Sequence, residues 1–162
     1  MLPFFTSSIP INRLDIISQL NFLRKNKIGF TDLLISINDA EIENENHRKA
    51  INSFKDSDLA KFNDYTWNTP HIIEYLRENE VSNVYFSRIG DSDIFSKQIR
   101  EIEKYCVMNE IYCNRLFTPS GQGLGSGKPR INKLINQWYF NNGASNFPFL
   151  SNSFNINEFK WA

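Results

Sequence analysis

Residues 68–117 do most to restrict the folds open to this chain, because there the apolar pattern alternates between helical and strand periods. A helix begins at Asn68 or Thr69. Either can cap it, and Pro70 suits its first turn. Ile72, Ile73, Tyr75 and Leu76 face inward. The segment VSNVYFSRIG (81–90) carries the short apolar run VYF and reads as a buried strand ending in a loop. Asp91 opens a further helix, with Ile94, Phe95, Ile99, Ile102 and Tyr105 at helical spacing. EIYCNRLF (110–117) is the next strand. This alternation belongs to βαβ units on a parallel sheet, so the expected class is α/β. In such sheets ligands bind beyond the carboxyl ends of the strands. Two connections lie there, Ser87–Asp91 and Thr118–Lys128. Their sharing of one rim is the main argument from the residues for a site.

The second connection lies within RLFTPSGQGLGSGKPRINKLINQW (115–138), which holds Gly121, Gly123, Gly125 and Gly127, four of the chain's seven glycines. Lacking Cβ, such a loop can lie close against another molecule's backbone. Pro119 fixes the corner before it, and Pro129 suits the first turn of the following helix. Ile131, Leu134, Ile135 and Trp138 continue that helix. Nucleotide-binding patterns do not fit. A Walker loop needs glycine where Gln122 stands and Ser or Thr where Pro129 stands, and the dinucleotide fingerprint lacks its third glycine. The plain alternative is a glycine-serine surface connection.

With 162 residues the chain is read as one domain. Aromatic residues make up 14%, most of them assigned to the core. The formal net charge is zero, which excludes strong long-range attraction to nucleic acid but allows a local basic patch. Lys128, Arg130 and Lys133 form such a cluster, equally readable as a solvated helix start. Cys106 and Cys113 lack metal-like spacing to His47 and His71, and read as reduced fillers of a helix end and a strand. No metal or cofactor is expected. Neither a charged leader nor an apolar run of membrane-spanning length is present in the sequence, so a cytosolic protein is expected.

Phe4 and Phe5 come at once in MLPFFTSSIPINRLDII, either as a hydrophobic arm over the core or as a pocket wall. A helix from about Asn12 to Lys25 has Leu14, Ile17, Leu20 and Leu23 as its apolar face. IGFTDLLISI (28–37) can be strand or short helix. Residues 38–64 are polar and read as a surface excursion, with Asp56–Leu59 a helix cap or turn and His47 an exposed residue without a task. The tail wraps the core with Phe147, Phe149, Phe154 and Trp161.

Three stretches together resemble the uracil-DNA glycosylase superfamily, nearest its mismatch-specific and hypoxanthine-DNA glycosylase branches. LPFFTSSIPINRLDII is similar to the family's aromatic-proline stretch leading into Asn-Arg and a helix. FLRKNKIGFTDLLISI is similar to its apolar run holding a Gly and an Asp. RLFTPSGQGL, followed by a helix ending in Trp138, is similar to the Pro-Ser loop that the family inserts into DNA. The resemblance covers nearly the whole chain and rests on the order of the three. It implies a three-layer α/β/α domain with a mostly parallel sheet over residues 1–162. It also implies hydrolysis of the N-glycosidic bond of a flipped, damaged base of the uracil or hypoxanthine class.

By that resemblance, Phe4 or Phe5 is the stacking wall of the base pocket. Thr118, Pro119, Ser120 and Gly121 press on the DNA backbone, and Gln122, Gly123 and Leu124 form the wedge. Lys128 and Arg130 touch flanking phosphates. The implied partner is double-stranded DNA with a damaged or mismatched base, bound by a monomer. Two departures weaken the match. The family's first motif, a strand and a glycine-proline loop that positions the attacking water, should precede Phe4, so a sheet short of its first strand is expected. Where many relatives carry an asparagine after the middle strand, this chain has Ser87 and then Arg88. Serine cannot make asparagine's paired contact. Asp15, Asp32 and Asp91 are the carboxylates nearest the rim in reading order, each with a plain structural role, so the catalytic residue stays unassigned. These departures keep open a catalytically inactive nucleic-acid-binding module and an interaction domain that kept only the scaffold.

Overall fold

Helices and short strands alternate along the chain in a computed structural model that describes residues 16–25, 27–53, 55–90 and 93–116. The chain divides into two units, one formed by residues 1–30 and 116–162 and the other by Thr31–Arg115. Most described residues belong to the second.

Of the first unit, α1 (Ile16–Lys25) ends with Arg24 and Lys25, cations suited to a helix C-terminus. Lys27 then turns left-handed, with φ 53°. The N–H of Ile28 bonds the Leu23 carbonyl at 2.9 Å, and that of Lys27 bonds Arg24 at 3.1 Å. This pairing satisfies carbonyls that a helix end leaves open. Of the apolar face expected on α1, Leu23 is half-buried, but Ile17 and Leu20 are 70% and 48% exposed.

In the second unit, β1 (Leu34–Ile37) makes the last four residues of the open stretch 28–37 a strand. It pairs antiparallel with β2 (Tyr65–Trp67), through Leu34 with Trp67 and Ile37 with Tyr65, and is interrupted by a bulge at Ile35. The polar segment between them contains α2 (Glu45–Asn52) and α3 (Asp56–Leu59). The surface excursion expected here thus carries a helix at residues 45–52, of which Ala50 is buried. Asn44 accepts the N–H groups of Asn46 and His47 at 3.0 and 3.3 Å and nucleates α2 despite its few apolar residues.

The parallel part comprises α4 (Thr69–Glu78), β3 (Asn83–Phe86), α5 (Ser96–Met108) and β4 (Tyr112–Arg115). β3 and β4 are parallel neighbours, in register from Asn83 with Tyr112 to Phe86 with Arg115. Val84, Phe86 and Cys113 point toward the helices, where Leu76, Ile99, Ile102 and Cys106 complete a core. Ile72 and Ile73 pack on it as expected, but Tyr75 is 61% exposed, since it projects from another side of α4. Thr69, buried at the start of α4, donates to Gln98 Oε1 at 2.7 Å and ties α4 to α5.

α5 begins at Ser96, five residues after the expected Asp91. Asp93 shapes the entry by accepting the Phe95 N–H at 2.9 Å. The helix ends as α1 does, with Glu110 at φ 55° and the Ile111 N–H on the Cys106 carbonyl at 2.9 Å. Two small sheets, one of them parallel, among mixed helices place the described chain broadly in the α/β class. No helix among the described residues is long and apolar enough to cross a membrane.

Candidate functional site

Because Phe86 stands opposite Arg115, the chain leaves β3 and β4 at the same end of the parallel sheet. Ser87, the first residue beyond β3, is exposed. Its neighbours are fixed: Phe86 is buried, and the Arg88 side chain is only 24% exposed.

Arg88 has three anchors. Its Nη2 donates to Asp56 Oδ2 at 2.5 Å, and its Nη1 donates to Asp93 Oδ2. Its guanidinium lies 4.4 Å from the centre of the Phe95 ring, a cation–π contact. Phe95 in turn meets Trp67 of β2 edge-on, with ring centres 5.5 Å apart. Asp93 is held at both ends, since its other oxygen accepts the Phe95 N–H.

At the end of β4, Arg115 forms a forked pair with Glu103 of α5, Nε to Oε1 at 2.6 Å and Nη2 to Oε2 at 2.8 Å. Planar guanidinium suits such two-point pairing. Its Nη1 also reaches the Gly90 carbonyl at 3.4 Å. The connection after β3 is thus held at Phe86, Arg88 and Gly90 and presents Ser87 between the first two. Asp56, Asp93 and Glu103 are all engaged by arginines, and none stands apart as a base to activate water.

Of the residues assigned to a site from the sequence, Ser87 lies where expected, at the carboxyl end of a parallel strand. Phe4, Phe5, Thr118, Pro119, Ser120, Gly121, Gln122, Gly123, Leu124, Lys128 and Arg130 lie outside the described residues, as do Asp15 and Asp91. Asp32 is exposed, and its backbone carbonyl accepts from Asn68 Nδ2 at 2.9 Å. Sequence reasoning missed the ion pairs that Arg88 makes with Asp56 and Asp93 and that Arg115 makes with Glu103. The signal for them was faint: an arginine at or just beyond each strand end, with carboxylates brought in from 5 to 32 residues away.

His47 is corrected from an idle surface residue to a structural one. Its Nδ1 accepts the Glu41 N–H at 3.1 Å, and its ring meets Phe62 edge-on at 5.1 Å. His47 and Phe62 also line a hollow of about 360 Å³ with Lys49, Asp58 and Lys61. None of the rim residues borders it. Its lysines are paired with Glu45 and Asp58, and Lys61, 2.5 Å away, holds the Asp58 carboxyl below its ordinary value by their hydrogen bond. The rim, with its open strand ends, is the stronger candidate.

Cys106 and Cys113 are free thiols in the core. Burial pushes the Cys106 thiol up and that of Cys113 up to about 12, so neither has the thiolate character of a nucleophile. Among the described residues, no group of three or more His, Cys, Asp or Glu side chains is arranged to hold a metal ion. The chain matches no protein-family model, no curated protein and no solved structure.

Proposed function

We propose that this chain is a monofunctional DNA glycosylase, built on a three-layer, uracil-DNA glycosylase-like fold, that removes a damaged base of the uracil or hypoxanthine class. The observation that carries the reading is the parallel pairing of β3 and β4 with Phe86 opposite Arg115. It brings the Ser87 connection to the sheet end at which the chain leaves β4 after Arg115. With the three-stretch resemblance, that end becomes the rim of a base pocket. Phe4 or Phe5 would stack on the extruded base, Ser87 would meet its polar edge, and Gln122 to Leu124 would fill the gap in the duplex.

The chemistry asked of the site is modest. A water oxygen bonds to the sugar C1′ as the C1′–N bond breaks. The bonding electron pair leaves with the base, and the water proton passes to the base or to solvent. The protein's part is extrusion of the base, stacking and stabilisation of the leaving group.

The test is incubation with labelled duplexes carrying a single uracil or hypoxanthine, followed by alkaline cleavage at abasic sites. The reading expects free base and an abasic strand. Intact strands at protein concentrations that saturate the duplex would contradict it.

A second reading, a duplex-binding module without catalysis, is favoured by one observation: Asp56, Asp93 and Glu103 are all committed to arginines. It expects salt-sensitive duplex binding with no base release.

A further inference from the structure

We infer that Arg88 is a positioning residue that orients Ser87 in the pocket and is not a contact to the phosphate backbone. The inference rests on the base-excision reading. An arginine beside a DNA-binding rim would ordinarily be taken as a phosphate ligand, and its surroundings argue otherwise. A phosphate-binding guanidinium needs N–H groups free to point at the ligand. In Arg88, Nη1 and Nη2 each donate to a carboxylate, Asp93 and Asp56, so two of the five N–H donors are engaged by anions, and one face of the group is covered by Phe95. One guanidinium between two carboxylates leaves a local formal charge of −1, which repels phosphate.

The same contacts suit an orienting role. Partly exposed ion pairs add little to stability, so a doubly paired arginine is better explained by the geometry that it holds. Through Asp56 and Phe95, Arg88 joins α3, the entry to α5 and, by Trp67, the β1–β2 sheet. Ser87 is fixed on one side by this clamp and on the other by buried Phe86. Arg115 holds the far end of the connection at the Gly90 carbonyl. A hydroxyl rotates freely about its own bond, so its value in telling one base edge from another depends on a fixed backbone beneath it.

The experiment compares the full 162-residue chain with Arg88→Met, Arg88→Lys and Asp56→Asn. Asp56→Asn removes one anchor only and keeps the test available should Arg88→Met fold poorly. Two quantities are read. One is affinity, across a salt series, for a duplex with one deoxyuridine and for its undamaged counterpart. The other is amide exchange at Asp93, Phe95 and Ser96, whose N–H groups are bonded beside the clamp.

Arg88→Met is expected to speed that exchange and to reduce the preference for the damaged duplex about tenfold, the worth of one oriented hydrogen bond. The salt slope is expected to stay unchanged, with smaller effects in the other two variants. A salt slope reduced by about one unit, with the preference intact, would make Arg88 a phosphate contact and overturn the inference. Unchanged exchange in both Arg88→Met and Asp56→Asn would also overturn it. Faster exchange in the variants, alongside a wild type with no preference between the duplexes, would sink the base-excision reading and with it the pocket role, while the clamp itself stood.

Discussion

Along α5, the successive inward positions Ile99, Ile102 and Cys106 are wholly removed from water, whereas from β1 to β2 the buried hydrophobic residues among those described are Ala50 and Phe62. The β3–α5–β4 region coheres through apolar burial, a force that grows with area and needs no particular partner. The β1–β2 region coheres through side-chain hydrogen bonds. Asn38 donates to Asp64 and Thr66 at 3.0 Å each and accepts from Ser36 at 2.7 Å. The Tyr65 hydroxyl serves the carbonyls of Leu59 and Phe62. Asp39 accepts the Asn63 N–H at 2.8 Å. One region is held by substance and the other by placement, and the two should fail differently.

The largest expected effect is in the core. Ile102→Ala should destabilise the chain by about 2–5 kcal/mol in urea unfolding, through lost burial and the cavity left behind. A cost below about 1 kcal/mol would mean that the α5 face collapses freely and the contrast with the β1–β2 region is false.

Alkaline pH comes next and also acts on the parallel region. Burial pushes the Cys113 thiol and the Tyr85 hydroxyl up to about 12, from ordinary values of 9.0 and 10.0. The unfolded chain releases these protons first, so their contribution is complete below pH 9 and is lost as pH rises toward 12. Thermal melts should show stability level with respect to these groups up to pH 9 and falling above it, with Cys113→Ala and Tyr85→Phe flattening the fall.

In the polar region single changes should cost less. Tyr65→Phe and Asn44→Ala should each remove about 1 kcal/mol, the ordinary worth of a net hydrogen bond or a helix cap. If either approaches the cost of Ile102→Ala, the polar network is cooperative and its members are not separable. The smallest effect is a gain. Glu110→Gly relieves a left-handed turn held by a residue with a Cβ, and should stabilise by about 0.5–1 kcal/mol in the same assay.

The same contrast explains what could be read before any coordinates. Helical spacing of Ile99, Ile102 and Tyr105, and the VYF run, announced α5 and β3 because apolar burial writes itself as periodicity. α2 was invisible to that reading, since its capping depends on the single residue Asn44 and its inward face on little more than Ala50. β2, with three residues, is too short to show a period. The left-handed turns at Lys27 and Glu110 carry no glycine to mark them. Of the candidate site, the rim followed from strand order alone, and Ser87 with it. The clamp on Arg88 did not, because the link from Arg88 to Asp56 spans 32 residues and leaves no local pattern.

Base extrusion can be observed without waiting for chemistry. A fluorescent 2-aminopurine set beside a single uracil or hypoxanthine in a duplex brightens when its neighbour leaves the stack, and would report an active glycosylase and a silent relative alike. The account predicts a saturable rise with the damaged duplex, and a much smaller one when the same duplex carries an intact base. Saturated binding with no difference between the two duplexes would contradict it.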